Sequence, residues 1–351
     1  MKLYNCVFFV AIMLLMACGE DINNNPLEFE RGTIWMGVGD ERGVVDRIVK
    51  YDYAKNDDNL ATISLPNTIE GSLKTIDDKY NEAIILASNS RSLKTTAEDN
   101  ADIVFLDLGK GTISEVSKFP MRLNSTKLYK MEYFPQYNKT YIVTNHGHSN
   151  HMKLLSINRN DLDTVAQNSE VVLETNSPGL TELLEEDAIL IGTNTSEEKM
   201  LVYDTTSNDL YEYYLPGQKL TPVGNTNKKI NGGGVRFVYS TSAATYVGVK
   251  VSTTLSVSGE SKMKLYYVTI NKTNGACYEQ PVMNLSKDNF DYNQNFVDIS
   301  SVVDEQSSQL IAVLHTINNK SQVVAIDLMT GALSHKQTYN HIVNGIAKVK
   351  M

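Results

Sequence analysis

"VVAIDLMTGAL", residues 323–333, is the stretch whose reading decides the fold. An apolar, β-prone run leads into Asp327, and four positions later stands Gly331. Asp or Asn at the head of a turn accepts hydrogen bonds from the backbone two residues on. Glycine and asparagine tolerate the left-handed backbone that closes such a turn. The stretch therefore predicts a strand, a tight hairpin and a second strand. The same pattern recurs in "IVKYDYAKND", "IVFLDLGKGT", "KLLSINRNDL", "MLVYDTTSND" and "YYVTINKTNG", whose polar residues are Asp52, Asp107, Asn158, Asp204 and Asn271. Four positions after these come Asn56, Gly111, Leu162, Asn208 and Gly275, all but the leucine suited to positive φ. Acidic residues that recur at one place in a repeat are turn residues, not a catalytic set.

Each copy sits within a group of four strand-like segments. One group reads "SLKTIDD", "EAIILAS", "DIVFLDL", "ISEVSKF", and another "FVDISSVVD", "QLIAVLH", "QVVAIDL", "ALSHKQTY". Short runs rich in β-branched and aromatic residues, punctuated by Gly, Asn, Asp and Pro, mark an all-β array. A repeat of about fifty residues falls in the range of propeller blades. The first group, "TIWMGVG", "DRIVKYDY", "NLATISL", has three strands, and the final strand "NGIAKVKM" has no group of its own. Together they make four. The expectation is an all-β propeller of six four-stranded blades, closed by the C-terminal strand joining the N-terminal blade as its innermost strand. Seven blades follow if 216–233 contains strands. Closure removes the sheet edges that invite aggregation.

At the level of fold, and over nearly the whole mature chain, the sequence resembles bacterial quinoprotein-like and YVTN-type propellers, with "VVAIDLMTGAL" carrying most of the likeness. The resemblance implies a propeller and names no substrate, because such folds host unrelated activities.

The N-terminus carries a different message. Lys2 precedes the apolar run "VFFVAIMLLM", then Ala17 and Cys18. A positive start, an apolar stretch of about ten residues and a small residue before the cut form a secretory signal too short to span a membrane. "LMAC", residues 15–18, resembles a bacterial lipobox, which implies cleavage before Cys18 and its lipidation. Several acyl chains on one residue anchor stably where one holds marginally. "GEDINNNP", residues 19–26, reads as a tether, and Glu20 and Asp21 resemble the surface-export signal of Bacteroidota lipoproteins. The expected organisation is a signal peptide over 1–17, lipidated Cys18 and tether over 18–32, and one propeller domain over 33–351. The expected location is the outer membrane, facing either the surface or the periplasm.

Cys6 leaves with the signal and Cys18 is acylated, so Cys277 alone remains. That excludes a disulfide framework and a cysteine-based zinc site. A net charge of −9 with no basic stripe argues against nucleic acid as a partner.

With blade strands labelled a to d from the axis outward, the b–c loops and d–a links share one face, the top. The chain enters at a b strand and ends on an a strand, which places both termini at the bottom. Loops on a rigid scaffold are the usual seat of recognition. The top loops offer Asp40, Glu41, Arg42, Glu70, Arg91, Arg122, Asn145, His146, His148, His151, Tyr292, His315 and His341 as candidate ligand contacts. His146, His148 and His151 of "TNHGHSNH", residues 144–151, hold half of the chain's 6 histidines. Three imidazoles on one loop can meet a divalent metal, but no H-E-x-x-H spacing or neighbouring base accompanies them. "GTNTSEEK", residues 192–199, is read as another b–c loop, and "PNTIEG" (66–71) and "PMRLNS" (120–125) as d–a links. "NGGG", residues 231–234, lacks the Lys-Ser/Thr of a phosphate loop. The carboxylate pairs Asp77–Asp78, Glu185–Glu186 and Asp304–Glu305 fall at a–b turns on the bottom and do not converge as a glycosidase pair must. No G-x-S-x-G elbow is present.

The reading favours a membrane-anchored, non-catalytic envelope propeller that recognises a glycan, peptide or protein through its top loops, with no cofactor. One alternative is a metal-dependent, lactonase-like hydrolase or lyase with its site over the central channel, where a bound divalent metal would be the cofactor. Another is a scaffold within an envelope complex.

Overall fold

The computed structural model describes residues 31–77, 80–88, 100–122, 128–134, 139–145, 152–158, 170–172, 189–194, 199–204, 209–214, 219–223, 235–240, 244–255, 261–286, 289–290 and 299–349. Among the described residues every regular element is a strand. The chain opens with β1 (Thr33–Gly39), β2 (Val44–Asp52), β3 (Asp57–Asp77), β4 (Glu82–Ser88), β5 (Asn100–Asp107) and β6 (Thr112–Arg122). A second sheet holds β7 (Leu128–Phe134), β8 (Lys139–Asn145), β9 (Met152–Asn158) and β10 (Glu170–Val172). A third holds β11 (Ile189–Asn194), β12 (Lys199–Asp204), β13 (Asp209–Tyr214), β14 (Lys219–Pro222), β15 (Val235–Ser240), β16 (Thr245–Leu255), β17 (Ser261–Asn271) and β18 (Cys277–Leu285). The fourth is β19 (Ile299–Asp304), β20 (Gln309–His315), β21 (Ser321–Asp327) and β22 (Leu333–Tyr339). The last strand, β23 (Ile342–Ala347), returns to the first sheet, whose order is β23-β1-β2-β3-β4-β5-β6.

The repeated hairpin forms as its chemistry dictates. Asp52 Oδ1 accepts the N–H groups of Ala54 and Lys55 at 3.0 and 2.9 Å. Asp107 does the same for Gly109 and Lys110, Asn271 for Thr273 and Asn274, and Asp327 for Met329 and Thr330. The turn closes on positive φ at Asn56 (57°) and at Gly111, Gly275 and Gly331 (each 67°). The hairpin also contacts its neighbour. A Cβ at Gly111 would stand 3.2 Å from Ile63 Cγ2, and one at Gly331 would stand 2.6 Å from the Tyr267 ring. Gly111→Ala is expected to cost about 1–2 kcal/mol from the left-handed backbone alone. Gly331→Ala is expected to cost more, because the tyrosine ring must also move. Urea unfolding midpoints of the two variants check the order.

A second device repeats at the outer strands. Ser114 and Ser334 are extra residues on β6 and β22 relative to β5 and β21. Each hydroxyl donates to a backbone carbonyl of the strand inside it, Phe105 O at 3.1 Å and Ala325 O at 2.9 Å. Each also donates to the first residue of that unit's second strand, Glu82 and Gln309 respectively.

β23 pairs antiparallel with β1, Gly39 opposite Ile342 and Trp35 opposite Ala347, so the C-terminal strand supplies the fourth strand that the N-terminal unit lacks. Beyond it, Lys348 Nζ donates to Thr33 O at 2.8 Å and lies 3.2 Å from Asp304 Oδ2. The same Asp304 oxygen accepts Gly32 N–H at 3.0 Å and Tyr53 O–H at 2.8 Å. Asp304 is fully buried and Lys348 nearly so. Burial opposes ionisation of Asp304, yet Lys348, Tyr53 and the Gly32 N–H together hold its carboxyl below the usual range. Arg31 adds guanidinium hydrogen bonds to Gln306 O at 2.8 and 3.0 Å. The start of β1 and the end of β23 are thus bound to the β19–β20 turn.

The sheets stack face to face. β1 is buried on both faces. Trp35 joins Ile48, Leu73, Ile85 and Leu106, whereas Ile34 and Met36 join Tyr51 of β2 and Val313, Val323 and Tyr339 of the neighbouring sheet. Val249, Leu265, Leu310 and Ile326 form the corresponding layer between the third and fourth sheets. At the inner edges, β3 lies beside β7, β7 beside β11, β15 beside β19, and β19 and β3 both beside β23, while β11 and β15 pair in parallel.

Three expectations change. First, 66–71 is no loop: β3 runs unbroken from Asp57 to Asp77, its first part pairing with β2 and its second with β4. Glu70 is therefore a strand residue opposite Val44. Second, Arg122 and Asn145 are the last residues of β6 and β8, paired with Asn100 and Met152, because the ladders outrun the apolar pattern used to delimit them. Third, the fourth unit is shifted by one strand. β11 takes the inner place, parallel to β15, and β14, read as loop within 216–233, provides the outer strand. Gly192–Asn194 of "GTNTSEEK" thus end an inner strand and Lys199 begins a second strand, an a–b and not a b–c order. The hairpin after Asp204 survives as the β12–β13 connection, Asp204 opposite Asp209.

Candidate functional site

Five of the described candidates converge on the upper end of the seam between the first and last units. The β1–β2 loop leaves Gly39, where a Cβ would stand 1.9 Å from Val44 O, so only glycine permits this turn. Gly43 follows at φ 74°. Between them Asp40, Glu41 and Arg42 are exposed. The buried amide of Asn344 on β23 holds the loop from below. Its Nδ2 donates to Glu41 O at 2.9 Å and Val44 O at 2.5 Å, and its Oδ1 accepts Gly43 N–H at 2.8 Å. Gly71 N–H donates to Gly43 O at 2.6 Å, which fixes the Glu70 segment of β3 against the same loop.

His341 approaches from the β22–β23 link. Its Nδ1 lies 3.5 Å from Asp40 Oδ1, and the two side chains are 44% and 80% exposed. The ring packs at a tilt on Tyr339, centroids 5.7 Å apart, and Tyr339 in turn meets Tyr51 edge-on. His315, the last residue of β20, shares a hydrogen bond between its Nε2 and Val343 O at 2.7 Å. It therefore lies on the same seam as His341, one residue from Asn344. Val343 N–H donates to the buried Ser321 hydroxyl at 2.9 Å. Exposed charges thus stand on a backbone whose polar groups are bonded to buried side chains. Groups held in this way have little freedom left to lose.

The structure brings together Asp40, Arg42, Glu70, His315 and His341. Arg122 and Asn145 end strands in other units. Cys18, Arg91, His146, His148, His151 and Tyr292 lie outside the described residues. Among the described residues no group of three or more His, Cys, Asp or Glu is placed to hold a metal ion. Cys277 is half-buried, and burial with the nearby Glu279 pushes its thiol up to about 11 against the opposing Lys250, so it is a poor nucleophile at neutral pH.

Sequence reasoning missed several polar residues. Asn344 sits in "VNGIAKV" like any strand-entry Asn-Gly and gives no sign of its amide clamp. Lys250, buried on β16, pairs with Glu279 of β18 at 2.7 Å. Lys348 and Asp304 are far apart in the chain and meet only through closure.

No protein-family model and no curated protein matches the chain. Solved structures do. A chain of the nidogen/laminin complex matches with a TM-score of 0.53 at 10% identity, covering 90% of this chain and 98% of that one. Kuenenia stuttgartiensis hydrazine synthase matches with a TM-score of 0.45 at 9% identity, covering 80% and 70%. The periplasmic gluconolactonase of Pseudomonas aeruginosa matches with a TM-score of 0.39 at 11% identity, covering 88% and 80%. At these identities the likeness is one of fold, and the fold is β-propeller-like.

Proposed function

We propose that the chain is a cell-envelope lipoprotein whose propeller binds a glycan, peptide or protein partner through its upper rim and performs no chemistry on it. The observation that carries this reading is the seam site: exposed Asp40, Glu41, Arg42 and His341 on a loop braced by the buried Asn344 amide. Rigid, mixed-charge rims suit recognition by complementary polar groups. Six blades fit the run of inner strands, from the second part of β3 through β7, β11, β15 and β19 to β23, whose last member neighbours the first. The lipobox-like "LMAC" supports anchoring through Cys18. Thr33 and Lys348 lie together at the end of the first unit opposite Gly39 and Ile342, so a tether ahead of Thr33 would turn the rim away from the bilayer.

Glycan and peptide arrays probed with the mature protein test this reading. Asp40→Ala and His341→Ala are expected to weaken capture at least about tenfold without changing the unfolding midpoint. Unchanged capture by both variants removes the rim from the account. Stoichiometric zinc or calcium, lost when His146 and His148 are replaced, would favour the hydrolase alternative instead. Incorporation of labelled fatty acid, abolished by Cys18→Ser, tests the anchor.

A further inference from the structure

The inner strands share a feature beyond the repeat. In β3, Leu73 faces Ile85 and Thr75 faces Ile84, so Lys74 is an extra residue without a partner across the ladder. Tyr129 of β7, Ile191 of β11 and Arg236 of β15 stand in the same relation to the second strands of their units. In β23, Asn344 and Gly345 fall between Val343, opposite Val38, and Ile346, opposite Met36. β19 alone pairs with its second strand without a shift.

Two pairs of these bulges lie at matching levels. Gly345 abuts the backbone of Leu73, since a Cβ there would stand 2.1 Å from Leu73 O. β11 and β15 pair with Gly192 opposite Val238, which places the bulges at Ile191 and Arg236 within one residue of the same level. A bulge re-aims the side chain it adds, and bulges concentrate at barrel rims and beside binding sites.

Lys74 is the charged residue of these bulges whose side chain the structure describes. Its strand neighbours Leu73, Thr75, Ile76 and Asp77 are all buried, yet its own side chain keeps intermediate exposure. Among the described residues no carboxylate pairs with it, and burial alone draws its amine down to about 8. Lys74 thus stands on an inner strand among buried neighbours, with its own residue partly open to solvent. Such an ammonium is a costly feature for a fold that has no use for it. Arg236 holds the corresponding register position on β15.

We propose that these inner-strand bulges form one tier and a binding site for a small oxyanion, a carboxylate or phosphate group, with the Lys74 ammonium as its charged donor. The inference rests on the ring of inner strands proposed above but not on the rim. Lys74 makes none of the contacts that hold the rim loop, so its replacement and those of Asp40 and His341 read separate sites.

The probes are inorganic phosphate, acetate and citrate, titrated into the mature protein at constant ionic strength and followed by calorimetry. At least one is expected to bind, and Lys74→Met to weaken that anion at least about tenfold, while Lys336→Met on the exposed face of β22 leaves it unchanged. Phosphate alone, or the carboxylates alone, identifies which oxyanion the tier prefers. Lys74→Met should also unfold at a higher temperature than the wild type, because it removes a desolvated charge. Should that variant not fold, protection of Lys74 from acetylation by the same anions, read by peptide mass mapping of the wild type, decides the matter. Anion affinity unchanged in Lys74→Met, or no binding and no protection in the wild type, overturns the proposal. Either result leaves capture at the rim, read by Asp40→Ala and His341→Ala, unaffected.

Discussion

Asp304→Ala is expected to lower the unfolding free energy by roughly 3–5 kcal/mol, because it strands a buried ammonium. Asp304 accepts from Tyr53, Gly32 and Lys348 at once, and Lys348 is itself 6% exposed. Adding Lys348→Met should recover more than half of the loss, since the orphaned charge goes with it. Urea unfolding of the wild type, the single variant and the double variant measures this. A single variant within about 1 kcal/mol of wild type would show that Lys348 finds water after the change. The pair also sets an acid limit. The folded carboxyl lies below its unfolded value of about 3.9. Its contribution is therefore complete above about pH 4 and is lost as pH falls through the folded value. Lys348→Met should move that loss to higher pH, visible as an earlier onset of acid unfolding.

Gly345→Ala is expected to be still harder to tolerate. The residue sits at φ 100°, where side chains are rarely accommodated, and its Cβ would stand 2.1 Å from the Leu73 carbonyl oxygen. Neither backbone can yield without disturbing the inner strands of two units. A cost of about 4 kcal/mol or more, or failure to accumulate as folded protein, is expected. Gly43→Ala is the control: it also has positive φ, at 74°, but a Cβ there meets nothing within 4 Å. It should cost only about 1–2 kcal/mol, the backbone term alone. Comparable losses in the two variants would mean that the β23–β3 contact has slack.

What the sequence revealed divides along the range of the physics involved. The hairpins at Asp52, Asp107, Asn271 and Asp327 were legible because an Asx turn and a left-handed closing residue lie within five positions. The pairing of β23 with β1 was legible by counting strands, since a group of three and a lone strand have one economical solution. The fourth unit misled because "MLVYD" has the pattern of any buried strand and does not state its place in a unit. "KLTP", four residues ending in proline, gave too little signal to be counted as the outer strand. The long β3 was misread because Pro66, Asn67 and Gly71 ordinarily mark a loop. Here the strand shifts register past β2 and continues into β4. The bulges were invisible for a related reason. An inserted residue changes which side chains share a face, so Leu73 and Ile76, three apart, join one core cluster. Of the rim, the exposed residues were identified and the buried amide beneath them was not.

The place of β1 in its sheet has a mechanical consequence. It is not an edge strand: β2 is bonded along one side and β23 along the other. A pull on the residues ahead of Thr33, directed along the strand, loads both ladders in shear, so many hydrogen bonds must yield together instead of unzipping singly. The Lys348–Asp304 lock sits at the point where that force enters. A chain held by its N-terminal side would in this way transmit drag on its upper rim into the strongest direction of its first sheet.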